Sequence, residues 1–166
     1  MAKDERASKQ LGDFGEQLIM FLIGRIYEHR VALVDHVGAD LIATDRRNKK
    51  YAISVKSRVF EKDGPQFEFA LDQQSKLESF AADFNLIPTV AFVCIDKIDI
   101  SKDINIDIYM IELSDFRKLA NNVQGITATG INNEILHFSN ANRNQKFLQN
   151  HELINFHRLT LSGLQK

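Results

Sequence analysis

Apolar residues recur at helix-like and strand-like intervals along most of this 166-residue chain. Over residues 8–28 they fall three and four positions apart, which predicts a helix that is apolar around much of its circumference and packed well into the fold. Residues 31–36 have the pattern of a short strand. A second amphipathic helix is predicted over residues 72–85, with Asp72 as its N-cap.

The most informative stretch is residues 38–58, where alternating apolar and polar side chains predict a β-hairpin with one polar face. With the turn centred near Asn48, Asp40 would lie opposite Lys56, and Ser54 would share their face. A carboxylate and an ammonium in this arrangement are well placed to handle a metal and a phosphate together. The plain alternative is a cross-strand ion pair, which contributes a fraction of a kcal/mol.

The remaining segments complete an α/β pattern. The run at residues 89–95 is apolar throughout, as in a central strand covered on both faces. Other strands are predicted at 66–70, 104–113, 134–139 and 154–161, with short helices behind a Ser114 cap and near 142–151. The leading order is helix, three strands, helix and strand, which predicts an αβββαβ core with a central mixed sheet flanked by helices. We expect one domain over 1–166, with its core at about 8–113 and a C-terminal extension at 114–166.

Composition narrows the functional classes. With 21 Lys and Arg against 22 Asp and Glu, the formal net charge is −1, so any nucleic-acid surface has to be a local patch. The single cysteine, Cys94, cannot form an internal disulfide, and a cytoplasmic protein is expected. The first ten residues lack the apolar core of a signal peptide, and no apolar run approaches the length of a membrane span. We therefore do not expect this chain to be a membrane protein.

Four short motifs fall on these elements in order. The motif GEQL carries Glu16 on the first helix, GAD carries Asp40, ISVKSR carries Lys56, and LDQQSKLESF carries Gln74 on the second helix. Together they resemble the PD-(D/E)XK nuclease superfamily, particularly the branch near Holliday junction resolvases and restriction-like endonucleases, over roughly residues 10–113. The resemblance implies a restriction-endonuclease-like domain that hydrolyses phosphodiester bonds in DNA.

The resemblance also implies roles for individual residues. Asp40 would bind Mg²⁺ or Mn²⁺, with Glu16 and the backbone carbonyl of Val55 as further ligands. Lys56 would contact the scissile phosphate and the attacking water, and Gln74 would complete the site. Phosphodiester hydrolysis needs an activated water and compensation of charge on the phosphate, which a carboxylate-bound metal and a nearby lysine supply.

Ser54 is the main departure from the superfamily pattern. It stands two residues before Lys56, where the superfamily has Asp or Glu, and a neutral hydroxyl is a much poorer Mg²⁺ ligand than a carboxylate. Either another acid has replaced the missing one, or the domain has lost catalysis and only binds. The candidate replacement acids are Glu16, Glu61, Glu68 and Asp72.

Basic side chains cluster around the hairpin. Arg46, Arg47, Lys49 and Lys50 fall in its turn, and Arg58 follows the lysine motif. A charged turn is most often simply solvated, but these side chains form the best available patch for a phosphate backbone. DNA is therefore the expected partner. RNA stays an alternative, and monomer and homodimer are both open.

Three hypotheses follow from these residues. The first is a metal-dependent endonuclease acting on DNA. The second is a nuclease-fold module that binds nucleic acid or another partner but has lost catalysis through the change at Ser54. The third is an interaction domain whose polar hairpin face is only a network of ion pairs.

Overall fold

The computed structural model describes residues 5–25, 28, 30–60, 66–97, 99, 101–139 and 146–162, apart from the side chain of Asp35. The elements in these ranges are, in chain order, α1 (Glu5–Arg25), β1 (Arg30–His36), β2 (Ala39–Thr44), β3 (Lys50–Phe60), β4 (Phe67–Phe69), α2 (Leu71–Asp83), β5 (Ile87–Asp96), β6 (Ile104–Glu112), α3 (Leu113–Leu119), β7 (Ile126–Thr129), β8 (Ile135–Phe138), α4 (Lys146–Gln149) and β9 (Asn155–Leu161). A 3-10 turn, Ile131–Asn133, lies between β7 and β8. None of the described helices has the length and apolar character needed to cross a bilayer.

Six strands form the central sheet in the order β1-β2-β3-β5-β6-β9. The β3–β5 pair is parallel and the other four pairs are antiparallel, so the sheet is mixed. A second, three-stranded sheet has the order β4-β8-β7. The predicted α/β arrangement with a central mixed sheet flanked by helices is confirmed. β4 corresponds to the strand predicted at 66–70, and it pairs in the second sheet and not in the central one.

The central sheet has a separate hydrophobic core on each face. Val90, Phe92 and Cys94 of β5 belong to the core that contains α2, whereas the alternate residues Ala91 and Val93 belong to the core that contains α1. All five side chains are at most 3% exposed. This confirms the prediction of a central strand covered on both faces, because an alternating strand with helices on both sides needs apolar residues at every position.

The buried face of α1 is narrower than the sequence suggests. Ile19, Leu22 and Ile23 face the sheet and are buried. Phe14 and Phe21 lie on the outer side and are 44% and 58% exposed, so the expectation of a helix packed deep in the fold holds for one face only. Because these two apolar side chains lie at the surface, the apolar face predicted from the sequence is wider than the face that is buried.

The predicted N-cap of α2 is wrong by two residues. Ala70 is the cap, and its N–H donates to the Gln73 Oε1 at 3.2 Å. Asp72 lies inside the first turn and pairs with Lys76 at 3.5 Å, one turn further along the helix. The Gln73 side chain reaches back to the N–H of the cap residue itself, whereas Ala70 has no side chain that could accept from the N–H groups of the first turn. The helix predicted behind Ser114 likewise begins one residue before it, at Leu113.

The hairpin turn is centred one residue before the predicted position. Asp45 Oδ1 accepts hydrogen bonds from the N–H groups of Arg47 and Lys49, both at 2.8 Å. Asn48 has a φ of 64°, in the left-handed region that asparagine tolerates. The Asp45 carboxylate therefore organises a five-residue turn around Arg47.

This turn shifts the pairing of β2 and β3 by two residues from the predicted register. Leu41 pairs with Ile53, so the register continued by one step sets Asp40 opposite Ser54 and not opposite Lys56. A shift of two keeps every side chain on its face, because strand side chains alternate with a period of two. Asp40, Ser54 and Lys56 therefore still share the face that was predicted for them.

Gly15 marks a close approach between α1 and β3. A Cβ atom built on Gly15 would lie 1.7 Å from the Ser57 Oγ and 3.0 Å from the Ser57 Cβ, so a side chain fits only if the neighbour moves. The Ser57 Oγ is itself buried, with no hydrogen-bond partner in the described part of the chain. The absence of a side chain at Gly15 thus sets the height of α1 above β3, and with it the position of Glu16.

Gly15→Ala is expected to destabilise the fold by about 1–3 kcal/mol, the usual effect of overpacking a filled contact. Gly12 on the same helix is the matched control, because no atom lies within 4 Å of a Cβ built there. Gly12→Ala should stabilise by about 0.5–1 kcal/mol through helix propensity. Urea denaturation measures both changes, and adding Ser57→Gly to Gly15→Ala should recover part of the loss. Equal effects of the two alanines would contradict the close approach.

Candidate active site

Asp40 lies at the start of β2, where the ladder to β3 ends. Beyond the Leu41–Ile53 pair, the Asp40 Oδ2 accepts a hydrogen bond of 2.6 Å from the N–H of Val55. The carboxylate therefore supplies an acceptor that the backbone ladder no longer supplies. This bond holds the charge of Asp40 against the edge of β3.

The backbone carbonyl of Val55 points the same way. The N–H and C=O of one strand residue point to the same edge, as in the hydrogen-bonded pairs of an antiparallel ladder. Because the Val55 N–H donates to Asp40, its carbonyl oxygen is also directed towards the Asp40 end of β2. A carboxylate and a carbonyl oxygen in one place are the hard oxygen ligands that Mg²⁺ prefers.

Glu16 approaches this region from α1, where it is partly buried. Burial raises the pKa of its carboxyl group above the ordinary value, and the negative charges of Asp40 and Asp13 raise it further. The positive charge of Lys56 acts in the opposite direction. The structure therefore brings Glu16, Asp40 and Lys56 close enough for their charges to interact. Asp13, one helical turn before Glu16, adds a carboxylate that the motif comparison does not include.

Two phenylalanines of β4 contact the cations of β3. The Lys56 Nζ lies 5.7 Å from the centre of the Phe69 ring, and the Arg58 Cζ lies 5.7 Å from the centre of the Phe67 ring. Both rings are buried, so they are fixed platforms, each contributing about 0.5–1 kcal/mol of cation–π attraction. The two rings orient Lys56 and Arg58 on one face of β3. The alternating pattern of residues 66–70 predicts that both rings share a face, but not that they meet these cations.

Ser54 is 6% exposed and lies within β3. Of its candidate replacement acids, Glu61 lies outside the described residues. Glu68 is exposed between two buried neighbours, so it points away from the side of β4 that meets Lys56. Asp72 is exposed on α2 and pairs with its own helix. Glu16 is the candidate in the described ranges whose charge interacts with Asp40.

Gln74 is buried, as its predicted inward position requires, but its side chain is occupied by other protein groups. Its Nε2 donates to the Phe69 carbonyl at 2.9 Å and to the Glu134 carbonyl at 3.0 Å. Its Oε1 accepts from the Arg117 Nε at 3.1 Å and Nη2 at 3.0 Å. Gln74 therefore connects Phe69 of β4 with Arg117 and Glu134, which lie far along the chain. Its predicted role in completing the site stays a prediction.

The basic turn is not brought to this site. Four residues of β2 separate the turn from Asp40, which corresponds to about 13 Å of strand. Within the turn, Arg46 pairs with Glu28, and the Lys49 Nζ lies 4.0 Å from a Glu112 carboxylate oxygen. Arg47 in the turn and Lys50 at the start of β3 are exposed. Contact of the turn with nucleic acid stays a prediction, whereas Arg58 lies on the same face as Lys56.

The oxygen atoms that could act as metal ligands here suit a hard divalent cation that keeps several water ligands. In the described ranges, no three His, Cys, Asp or Glu side chains converge closely enough to hold a metal ion together. The available oxygens are the carboxylates of Asp40 and Glu16 and the carbonyl of Val55. Mg²⁺ is commonly bound through one or two carboxylates with water completing its shell, so this set is sufficient for it. Burial is the main cause of the raised pKa of Glu16, and the negative charges of Asp40 and Asp13, which add to it, would be offset by a bound cation.

Comparison with solved structures finds a coarse likeness. The Holliday junction resolvase Hjc of the hyperthermophile Archaeoglobus fulgidus aligns with a TM-score of 0.48 and 14% sequence identity, covering 78% of this chain and 84% of the resolvase chain. No family model matches the chain, and no curated protein matches it at a significant level. The roles of residues in this chain therefore rest on its own geometry.

The raised pKa of Glu16 makes stability depend on pH. The folded chain holds this proton more tightly than the unfolded chain, so ionisation of Glu16 lowers stability as pH rises through the raised pKa. Glu16→Gln removes that ionisation. We expect the metal-free variant to be more stable than wild type at neutral pH, and to lose this advantage towards acidic pH. Urea denaturation from about pH 4 to pH 8 measures the difference.

A divalent cation should reverse the order of stability of the wild type and Glu16→Gln at neutral pH. Mn²⁺ should stabilise the wild type more than Glu16→Gln, because binding to the folded state adds to the free energy of unfolding. Glu152→Gln, which removes an exposed carboxylate outside the helices, is the matched control and should leave both results unchanged. Higher stability of metal-free wild type at neutral pH would contradict the raised pKa.

Proposed function

We propose that this chain is a metal-dependent endonuclease that hydrolyses phosphodiester bonds in DNA. The observations that support the proposal are the hydrogen bond from the Val55 N–H to Asp40 at the edge of β3 and the influence of the Asp40 and Lys56 charges on the Glu16 carboxyl. Hydrolysis of a phosphodiester needs oxygen ligands for a cation and a positive charge directed at the phosphate, and this edge offers both.

The residues divide the chemistry between them. Asp40, Glu16 and the Val55 carbonyl would hold Mg²⁺ or Mn²⁺, which when bound lowers the pKa of a water ligand and offsets charge on the phosphate. Lys56 would bind the scissile phosphate and orient the attacking water, with Phe69 holding its ammonium in place. Arg58 would contact a neighbouring phosphate of the same strand, since it lies two residues from Lys56 on the same face.

Glu16 is proposed as the acid that compensates for Ser54. In the superfamily pattern the second carboxylate comes from the strand itself, whereas here it would come from the helix packed against that strand. The support is electrostatic: the Glu16 carboxyl responds to both Asp40 and Lys56. A hydroxyl at Ser54 would then suffice, because Asp40 and Glu16 together supply the one or two carboxylates through which Mg²⁺ is commonly bound.

Cleavage assays test the proposal directly. Supercoiled, linear, branched and single-stranded DNA are each incubated with wild type or Ser54→Glu in Mg²⁺ or Mn²⁺. Metal-dependent cleavage of any of these substrates by the wild type supports the endonuclease. Cleavage by Ser54→Glu alone would replace the proposal with a binding module that has lost its second acid. Salt-sensitive binding without cleavage by either protein would also favour that module.

A further inference from the structure

A cavity of about 470 Å³ is lined in part by Gln74, the residue predicted to complete the active site. Phe69 links the two places. Its ring lies 5.7 Å from the Lys56 Nζ, and its carbonyl oxygen accepts the Gln74 Nε2 hydrogen bond at 2.9 Å. The cavity is therefore one residue removed from the cation proposed to bind the scissile phosphate.

The walls of this cavity are mixed in character. Leu71, Leu136 and Ala128 provide apolar surface, and Arg117, Gln74 and Asn132 provide polar groups. The rim is the turn between β7 and β8, in which Asn132 has a positive φ of 57°. A hydrogen bond of 3.0 Å from the Gln74 Nε2 to the Glu134 carbonyl ties this turn to α2. The cavity is thus formed by fixed elements.

Arg117 presents a fixed plane in the cavity. Its guanidinium contacts the Gln74 Oε1 through two nitrogens and the Glu78 carboxylate through two, at 2.5–3.1 Å. Four hydrogen bonds in the plane of the group fix its orientation, while the side chain remains 39% exposed. Planar guanidinium groups stack on nucleobases, and an immobilised one loses little further entropy on doing so.

The charges around the cavity favour a neutral ligand. Glu78 lies against Arg117, and the hydrogen bond from Arg117 lowers the pKa of the Glu78 carboxyl, so this carboxylate offsets the positive charge of Arg117. Glu134, a second acidic residue, is also among the lining residues. A phosphate would find no net positive charge here. A flat, neutral heterocycle with hydrogen-bonding edges matches the apolar walls, the amides and the guanidinium plane.

We propose that this cavity binds one unstacked nucleobase of the DNA strand whose phosphate lies at Lys56. The proposal rests on the proposed endonuclease function, since it needs a nucleic-acid strand at that lysine. Extrusion of a base into a pocket beside the reacting group is an established way for enzymes to select a nucleotide or a distorted structure. Binding the base would require local unstacking, so the pocket would favour DNA sites that unstack easily.

Ala128→Leu tests the pocket by filling it while Arg117 and Gln74 themselves are left unchanged. Thr127→Leu is the matched control, because this neighbouring β7 residue is exposed on the opposite face of the strand. The probe is duplex DNA with the fluorescent base 2-aminopurine at successive positions, in Ca²⁺ to prevent turnover. An unstacked 2-aminopurine fluoresces several-fold more strongly than a stacked one. Anisotropy of an end label on the same DNA measures binding.

We expect wild type and Thr127→Leu to raise the fluorescence several-fold at one position, and Ala128→Leu to raise it at none. The affinity of Ala128→Leu should also fall by about fivefold or more, because a stacked base contributes at least about 1 kcal/mol. Binding with no fluorescence rise, or with an equal rise in Ala128→Leu, would overturn the base pocket while leaving the endonuclease intact. No binding by any of the three proteins would instead defeat the endonuclease, and the pocket with it.

Discussion

Asp40→Asn is expected to abolish divalent cation binding while leaving the fold intact. An asparagine Oδ1 can still accept the hydrogen bond from the Val55 N–H, so the end of the β2–β3 ladder keeps its acceptor. The charge, however, is lost. The affinity for Mn²⁺ should fall by more than the 10- to 100-fold that follows loss of an outer-shell partner of a metal site. Calorimetric titration of Mn²⁺ into metal-free protein measures this change.

Asp72→Asn is the matched control for this substitution. Asp72 is an exposed aspartate on α2 that was a candidate replacement acid, and it pairs with Lys76 on its own helix. Its loss should leave Mn²⁺ affinity unchanged. Equal Mn²⁺ binding by wild type and Asp40→Asn would mean that Asp40 is not a ligand, whereas loss of binding in Asp72→Asn alone would move the metal site to α2.

Lys56→Met is expected to lower the rate of DNA cleavage by at least about 100-fold, the usual effect of removing one group that stabilises the transition state. Methionine keeps an apolar stem against the Phe69 ring, so the packing of β4 on β3 is retained while the charge disappears. Single-turnover cleavage at saturating protein isolates the chemical step from binding. Mn²⁺ affinity should persist, because no ligand has been removed.

Lys102→Met provides the comparison for a lysine away from the site. Lys102 is 78% exposed and pairs with Asp99 between β5 and β6. This variant should cleave at the wild-type rate. A loss of only a few-fold in Lys56→Met, or equal losses in both variants, would mean that Lys56 does not act on the scissile phosphate.

The faces of the β2–β3 hairpin could be predicted from sequence, but its register could not. Alternation assigns Asp40, Ser54 and Lys56 to one face in any register that differs by an even number of residues. The register itself depends on the turn, where the Asp45 carboxylate caps two N–H groups. Such a local hydrogen bond leaves no trace in the pattern of apolar residues.

The position of Gln74 could be predicted, but its partners could not. Its spacing from the apolar residues of α2 indicates an inward side chain, and it is 2% exposed. Its contacts, Arg117 and the Glu134 carbonyl, lie 43 and 60 residues further along the chain. They depend on α3 and on the second sheet, whose strand β7 has only four residues. Short strands that pair over long sequence separations carry little periodic signal.

The central claim is that the Asp40 edge of β3 performs metal-dependent phosphodiester hydrolysis. Its most direct test is the nicking rate of supercoiled DNA by wild type and Asp40→Asn, purified in parallel and assayed in Mg²⁺ and in EDTA. The expected result is nicking by wild type in Mg²⁺ only, and a rate at least about 100-fold lower for Asp40→Asn. Equal nicking by the two proteins, or nicking that persists in EDTA, would contradict the claim.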